Sequence, residues 1–322
     1  MRAIRFEKTG GPEVLEAVEV DAPAPKSGQV RVRHEAIGIN FIDTYHRTGL
    51  YPVKLPCTPG GETAGVVDAV GEGVTRLKVG DQVAHSGGFG AYAEANVVMA
   101  DRAVKLPEGI DTRTAAAVLL KGMTTEAFIR RTYPVKAGEP VLVHAAVGGV
   151  GQIMTQWLKA LGAEVIATVG SEEKAAKARE LGADHVILYR EQDVAAEVKR
   201  ITGGKGVPVA YDSVGKDTFE GTLGSLARRG LFVSFGNASG PVPPFPPARL
   251  AQGGSLYLTR PTLFDYIVTT EELDASAAAV FDVIRSGQVK IEIGQTFALA
   301  EARKAHEALE SRATVGASLL IP

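Results

Sequence analysis

The sequence predicts an α/β protein of two domains, one β-rich and one built on a doubly wound parallel sheet. Three observations carry that expectation. The first third consists of short Val-, Gly- and Pro-rich segments; strands and helices alternate regularly after Asp111; and one buried strand runs directly into a glycine-rich turn that opens a helix. A length of 322 residues suits two domains.

The amino terminus, MRAIRFEKTGGPEVLE, reads as a strand and a turn. Residues 30–40 alternate apolar and polar side chains, as a half-buried strand does. Residues 65–74 and 81–86 read as further strands, punctuated by Gly71, Gly73 and Gly80, so a small barrel or sandwich is expected. Residues 112–131, rich in Ala, Leu and Arg, predict a helix. Then follow a strand (141–146), helix (148–162), strand (164–170), helix (171–182), strand (184–189), helix (191–202), strand (207–215), helix (217–228) and strand (231–236). Such alternation implies parallel strands joined by right-handed crossovers. The Pro-rich stretch 240–250 cannot continue a sheet interior and is expected as a loop. A helix (271–286), a strand region (289–298), a helix (299–311) and a closing strand (317–322) complete the chain. This tail is expected to pack back on the first domain, giving one domain of 1–124 completed by 261–322 and a second of 125–260.

Bulk properties exclude several classes. Net charge is −2 with no basic stripe, which argues against nucleic-acid binding. No window approaches the ~18 unbroken apolar residues of a membrane span, and the first residues lack the apolar core of a signal peptide. A single cysteine, Cys57, permits no internal disulfide and fits a cytosolic protein. The six histidines (34, 46, 85, 144, 185 and 306) form no HxxxH pair, so no metal site is expected.

The strongest local signal is VLVHAAVGGVG, residues 141–151. Ala146 stands at the first glycine place of a dinucleotide-binding turn. Gly148 lets the backbone approach a pyrophosphate, and Gly151 lets the helix pack close to the strand. The helix amino terminus offers unpaired N–H groups to phosphate. An NAD site usually places an acid at the end of the second strand. Here Gly170 and Ser171 stand there instead, removing repulsion toward a 2′-phosphate. Ser171 caps the next helix, Lys174 lies one turn on, and Tyr189 ends the third strand. Together they favour NADPH over NADH.

At this point the chain resembles the quinone oxidoreductases, or zeta-crystallin-like proteins, of the medium-chain dehydrogenase/reductase superfamily. The resemblance spans essentially the whole chain and rests on runs such as GGPEVLE (10–16), AIGINFIDTYHRTGLYP (36–52), LLKGMTT (119–125), HAAVGGVGQIMTQWLKALGA (144–163) and RRGLFVSFGNASGP (228–241). It implies a GroES-like β-rich catalytic domain and a Rossmann nucleotide domain. The superfamily's zinc ligands correspond to Asn40, Gly61 and Lys121, so it implies no catalytic zinc, and it leaves Glu62 as a structural acid. It places the nicotinamide near Asn40, Phe41, Asp43, Thr44 and Tyr45, with Lys121 and Thr125. It sets Gly149 and Val150 against the pyrophosphate, and Ser213, Phe235, Gly236, Arg260 and Arg312 at the border of the cofactor or its entry. Two departures stand out: Val147 where a small residue is usual, and Ala127 where a Tyr is common.

The expected reaction is reduction of a quinone by NADPH without zinc. Asn40, Tyr45 and Tyr51 are candidate donors to the acceptor oxygen, and Tyr45 or water supplies protons. Asp43 reads better as a structural hydrogen-bonding group than as an acid–base catalyst. Hydride and stepwise one-electron transfer both remain open. An NADPH-dependent enone or enal reductase is the nearest alternative, and a non-catalytic NADPH-binding crystallin-like protein the second. The resemblance implies a homodimer, with the edge strand in 231–236 or 255–259 as the pairing surface.

Overall fold

Strand β1 (Arg2–Arg5) pairs antiparallel with β2 (Glu16–Glu19). In β3 (Gln29–Gly38), Val30 and Val32 point inward while Arg31 and Arg33 do not, the alternation expected from the sequence. A computed structural model describes residues 1–311 and 314–322. It places helix α1 at Phe41–Thr48, a segment whose composition does not predict a helix. The segment FIDTYHRT is poor in strong helix formers. Its ends supply what its composition lacks. The Asp43 carboxylate accepts the Asn40 backbone N–H at 2.9 Å, and Gly49 closes the helix at φ 82°.

Strands β4 (Glu62–Val70), β5 (Gln82–Ser86), β6 (Ala95–Met99) and β7 (Ala103–Lys105) follow. Helix α2 (Thr112–Glu126) stops five residues short of the expected end at 131. Residues 127–132 form a wider π turn, closed by the bond from Tyr133 N to Phe128 O, whose oxygen also accepts from the Tyr211 hydroxyl at 3.2 Å.

The next stretch alternates as expected: β8 (Pro140–His144), α3 (Gly149–Ala160), β9 (Glu164–Val169), α4 (Glu172–Glu180), β10 (His185–Leu188), α5 (Val194–Ile201), β11 (Val207–Asp212), α6 (Phe219–Ser225) and β12 (Leu226–Ser234). Several boundaries differ, two of them for reasons that the sequence makes plain. The last helix of this series ends at Ser225 rather than 228, because β12 begins at Leu226. The strand expected to reach 215 ends at Asp212, whose carboxylate accepts the N–H groups of Val214 and Gly215 and so turns the chain. The Pro-rich segment is a loop except at its end, where α7 (Ala248–Gln252) begins directly after Pro247. Strand β13 (Tyr257–Thr259) precedes helix α8 (Thr270–Arg285), β14 (Ile293–Ala298), α9 (Ala302–Glu310) and β15 (Ala317–Ile321).

The chain divides into two units. The first comprises residues 1–123, 267–285 and 291–322; the second comprises 124–266 and 286–290. The first unit holds a seven-stranded sheet path, β14-β15-β3-β4-β5-β7, with β6 added on β3. Strand β15 joins it through Leu319 opposite Gly38 and Leu320 opposite Ile37. Its core gathers Ile4, Phe6, Ile37, Tyr92, Leu299 and Leu320. The second unit holds a six-stranded parallel sheet in the order β10-β9-β8-β11-β12-β13. The chain runs outward from β8 to β10, then returns to β11 on the other side of β8. That reversal opens a crevice beyond the carboxyl ends of β8 and β11, where ligands bind in such sheets.

Candidate active site

The glycine-rich turn lies at this reversal. Strand β8 ends at His144, two residues before the expected end, because Ala145 adopts a left-handed conformation at φ 51°. An alanine there costs about 1 kcal/mol and marks a turn held by its surroundings. Gly148 is the N-cap of α3, and Gly149 and Val150 form its first turn, so their N–H groups point out of the helix start. A Cβ on Gly151 would overlap the Ala145 carbonyl oxygen and lie 2.7 Å from the Ala146 carbonyl carbon. Only glycine lets the helix sit this close to the strand end. Ala146 and Val147 are both buried, so the valine side chain is accommodated inside the unit.

A second polar corner forms where β9 and β10 end. The Ser171 hydroxyl accepts the Lys174 backbone N–H at 3.3 Å and caps α4. A Cβ on Gly170 would stand 3.2 Å from the Tyr189 hydroxyl and 3.4 Å from Arg190 Nε. The Arg190 guanidinium lies over the Tyr189 ring, 5.9 Å from its centroid. Partial burial pulls the Lys174 ammonium below its ordinary value, opposed by Tyr189 and reinforced by the Arg190 charge. Gly170, Ser171, Lys174 and Tyr189 are thus brought together, as the sequence led us to expect. Arg190 is an addition that the sequence reading missed. A lone arginine after a strand end carries no periodic signal, and only the fold brings it over Tyr189.

Along the other side of the reversal, Ser213 follows β11 and meets the segment after β12. A Cβ on Gly236 would fall 2.7 Å from the Ser213 carbonyl carbon. Arg260 Nη1 donates to Gly236 O at 3.0 Å and to Ser234 Oγ at 3.2 Å. Phe235 packs edge-on against Phe128, with centroids 5.2 Å apart. Under this layer the Asp212 carboxylate also accepts from the Thr218 hydroxyl at 2.6 Å, which fixes the turn. Arg312 lies outside the described residues. Thr125 is buried at the end of α2.

In the first unit a buried carboxylate, Glu62 on β4, collects three donors. Lys121 Nζ and Asn40 Nδ2 reach its Oε2 at 2.7 and 2.9 Å, and Leu120 N reaches Oε1 at 2.7 Å. The Asn40 amide N–H is thus committed to Glu62. At the start of α1 the Asp43 carboxylate accepts the Asn40 backbone N–H, one arm of a capping box. The Tyr92 hydroxyl donates to Asp43 Oδ2 at 3.1 Å, His306 Nε2 lies 3.0 Å from that hydroxyl, and Arg47 Nη1 lies 3.0 Å from His306 Nδ1. Burial pushes the Asp43 carboxyl from its ordinary 3.8 up to about 7, against the pull of its hydrogen bonds and of Lys121. Thr44 spends its hydroxyl proton on Phe41 O at 2.7 Å. The Tyr45 and Tyr51 rings meet edge to face at 5.3 Å, and the Phe41 and Tyr45 rings lie tilted by 34° at 6.4 Å.

A divalent ion does not fit this cluster. Gly61 offers no side chain, and the Lys121 ammonium already occupies the Glu62 oxygen that a metal would need. Among the described residues no group of three or more His, Cys, Asp or Glu is arranged to hold a metal ion.

The sequence is 54% identical over 99% of its length to a quinone oxidoreductase of Salmonella typhimurium, of which it covers 99%. The chain belongs to the quinone oxidoreductase family. The family's structures share its whole fold: that of the Escherichia coli quinone oxidoreductase complexed with NADPH superposes with a TM-score of 0.98 at 51% identity, covering 100% of both chains. Residues 26–108 match the family model described as alcohol dehydrogenase GroES-like domain, and residues 149–281 that of zinc-binding dehydrogenase. The first unit is accordingly GroES-like and the second a Rossmann sheet. A 2-haloacrylate reductase from Burkholderia sp is 43% identical over 98% of both chains, so members of differing activity resemble this chain along nearly its full length.

Proposed function

We propose that this enzyme reduces quinones with NADPH, and that the corner of Ser171, Lys174, Tyr189 and Arg190 grips the 2′-phosphate. That corner is the observation that carries the reading: two cationic side chains, a hydroxyl cap and a helix amino terminus converge beside Gly170, where an NAD site would carry an acid. The α3 amino terminus, from Gly148 to Gly151, takes the pyrophosphate. Ser213, Phe235, Gly236 and Arg260 border the nicotinamide half, and Thr125 serves the same end. NADPH, when bound, supplies the hydride.

The chain's own residues supply position and charge. Lys121, held on Glu62, brings a fixed positive charge to the place where superfamily relatives carry a metal ligand. Asn40 keeps a side-chain N–H on the same carboxylate, and Asp43 holds the backbone from which Asn40, Phe41, Thr44 and Tyr45 project. Tyr45 and Tyr51 present an aromatic face and hydroxyls to the acceptor. A quinone needs little electrophilic help, because its reduced form is aromatic and delocalises the developing charge. Holding its ring supplies much of the rate enhancement. The 1–124 segment, completed by 261–322, is the catalytic domain in this reading, and 125–260 the nucleotide domain. The enzyme works in the cytosol as a homodimer paired through the edge strand β13.

Reduction of an activated carbon–carbon double bond is the second reading, favoured by the likeness to the 2-haloacrylate reductase. The deciding assay follows NADPH oxidation against panels of quinones and enones, with NADH in parallel. We expect quinone-dependent turnover with NADPH at least about tenfold more efficient than with NADH, and Lys174→Ala to erase most of that preference. Turnover of enones alone, or equal use of NADH, overturns the proposal.

A further inference from the structure

Five rings in the first unit form a continuous series, tilted at its first contact and edge-to-face at the other three, that begins at the candidate acceptor residues and ends at the surface. From Phe41 and Tyr45 it passes to Tyr51, then to His46, whose ring lies 5.9 Å from Tyr51 at 66°. It ends on Phe89, 4.7 Å from His46 at 65°. Tyr45 is buried, His46 half-buried and Phe89 45% exposed. Phe89 sits in the loop Gly87-Gly88-Phe89-Gly90, whose glycines have φ of 106°, 76° and 98°. A Cβ added at Gly88 would meet nothing within 4 Å, so open space adjoins the Phe89 backbone. Neither ring nitrogen of His46 is hydrogen-bonded to any other described residue. Burial holds its imidazole below the ordinary 6.5, which keeps the ring uncharged at neutral pH. An exposed phenylalanine on an all-glycine frame, braced by a neutral imidazole, adds nothing to the core of this unit. It does extend the Tyr45–Tyr51 aromatic face outward by two rings.

We infer that His46 and Phe89 are specificity-determining residues, forming the outer wall of the acceptor site and stacking against the second ring of a fused-ring acceptor. The inference rests on the quinone reading of the same site. A single-ring acceptor is held by Tyr45 and Tyr51; a two-ring acceptor extends onto His46 and Phe89. Each aromatic contact is worth a few-fold in binding, so the wall acts on KM more than on kcat.

The test compares 1,4-benzoquinone with 1,4-naphthoquinone in the full-length enzyme with NADPH, for wild type, His46→Ala, Phe89→Ala, Phe89→Leu and His46→Phe. Each alanine variant is expected to lower kcat/KM for naphthoquinone about fivefold more than for benzoquinone, through KM. His46→Phe restores the ratio by keeping a ring, and Phe89→Leu, which keeps apolar bulk and fold, does not. Equal losses on both quinones, no loss on either, or failure of His46→Phe to restore the ratio overturns the wall. A wild-type enzyme that turns over enones but neither quinone overturns the reaction itself, and the wall with it.

Discussion

Replacing Asp43 with Asn should make the protein more stable at alkaline pH and remove a pH dependence that the wild type carries. Asp43 is buried, and its carboxyl is raised from 3.8 to about 7. In the unfolded chain it loses its proton near 3.8; in the fold it keeps that proton until near 7. Between those values the native state binds the extra proton, so stability falls as pH rises. The contribution is whole below 3.8 and lost above about 7. At ~1.36 kcal/mol per pH unit, the full loss is about 4 kcal/mol, of which roughly 2.5 kcal/mol falls between about pH 5 and about pH 8. Asn keeps an oxygen for the Asn40 N–H and the Tyr92 hydroxyl but cannot ionise. Urea unfolding of both proteins at those two pH values measures the effect. The stability of Asp43→Asn relative to wild type should improve by about that amount on going to the higher pH. A constant difference, or a wild type that gains on the variant as pH rises, would refute the reasoning. The second result would mean that the α1 amino terminus stabilises an ionised Asp43 more strongly than burial penalises it.

Three further expectations follow from other sites. Gly151→Ala forces a Cβ against Ala145 and Ala146, so NADPH affinity measured by fluorescence titration should fall at least about tenfold, with a loss of about 1–3 kcal/mol in stability; unchanged binding would contradict the close-packing role. Lys121→Met strands the buried Glu62 carboxylate and should cost about 3–5 kcal/mol in chemical denaturation, much of it recovered by adding Glu62→Gln. Burial lowers His85 to about 3, and His34 adds to that effect, so its share of stability is whole above 6.5 and drains as pH falls toward 3; His85→Gln should flatten the acid limb of the stability profile by about 1 kcal/mol per pH unit, and an unaltered limb would place the acid sensitivity elsewhere.

Much of the second unit was legible because its physics is local. Strands buried on both faces read as continuous apolar runs, and Gly148 and Gly151 announce a turn that few other residues tolerate. Ser171 and Lys174 could be assigned because capping acts across three residues. The first unit's site is less legible because its contacts span long separations. Asn40 meets Glu62 across 22 positions, Lys121 meets it across 59, and Arg47 meets His306 across 259. Helix α1 itself went unseen because its residues favour strands or turns in isolation, and only Asp43 and Gly49 at its ends signal a helix. Arg190 was overlooked for a different reason: a lone arginine after a strand has no period, and only the fold brings it over Tyr189.

The long-range contacts around Asp43 also decide what that residue can do. An arginine side chain has only donors, so the Arg47 guanidinium must give a hydrogen to His306 Nδ1. Burial and the Arg47 charge keep His306 neutral, lowered to about 3, so its one proton lies on Nε2 and is given to the Tyr92 oxygen. Tyr92 in turn gives its hydrogen to Asp43. Every bond in the row points the same way. A proton wire would need each member to reverse, and Arg47 at the head cannot surrender its proton near neutral pH. The row is therefore an anchor rather than a relay. It ties α9, through His306, to the amino terminus of α1, and so fixes the backbone from which Asn40 reaches Glu62 and Tyr45 faces Tyr51. The protons that complete reduction of an acceptor must arrive by another route, from solvent or from the hydroxyl groups beside the acceptor.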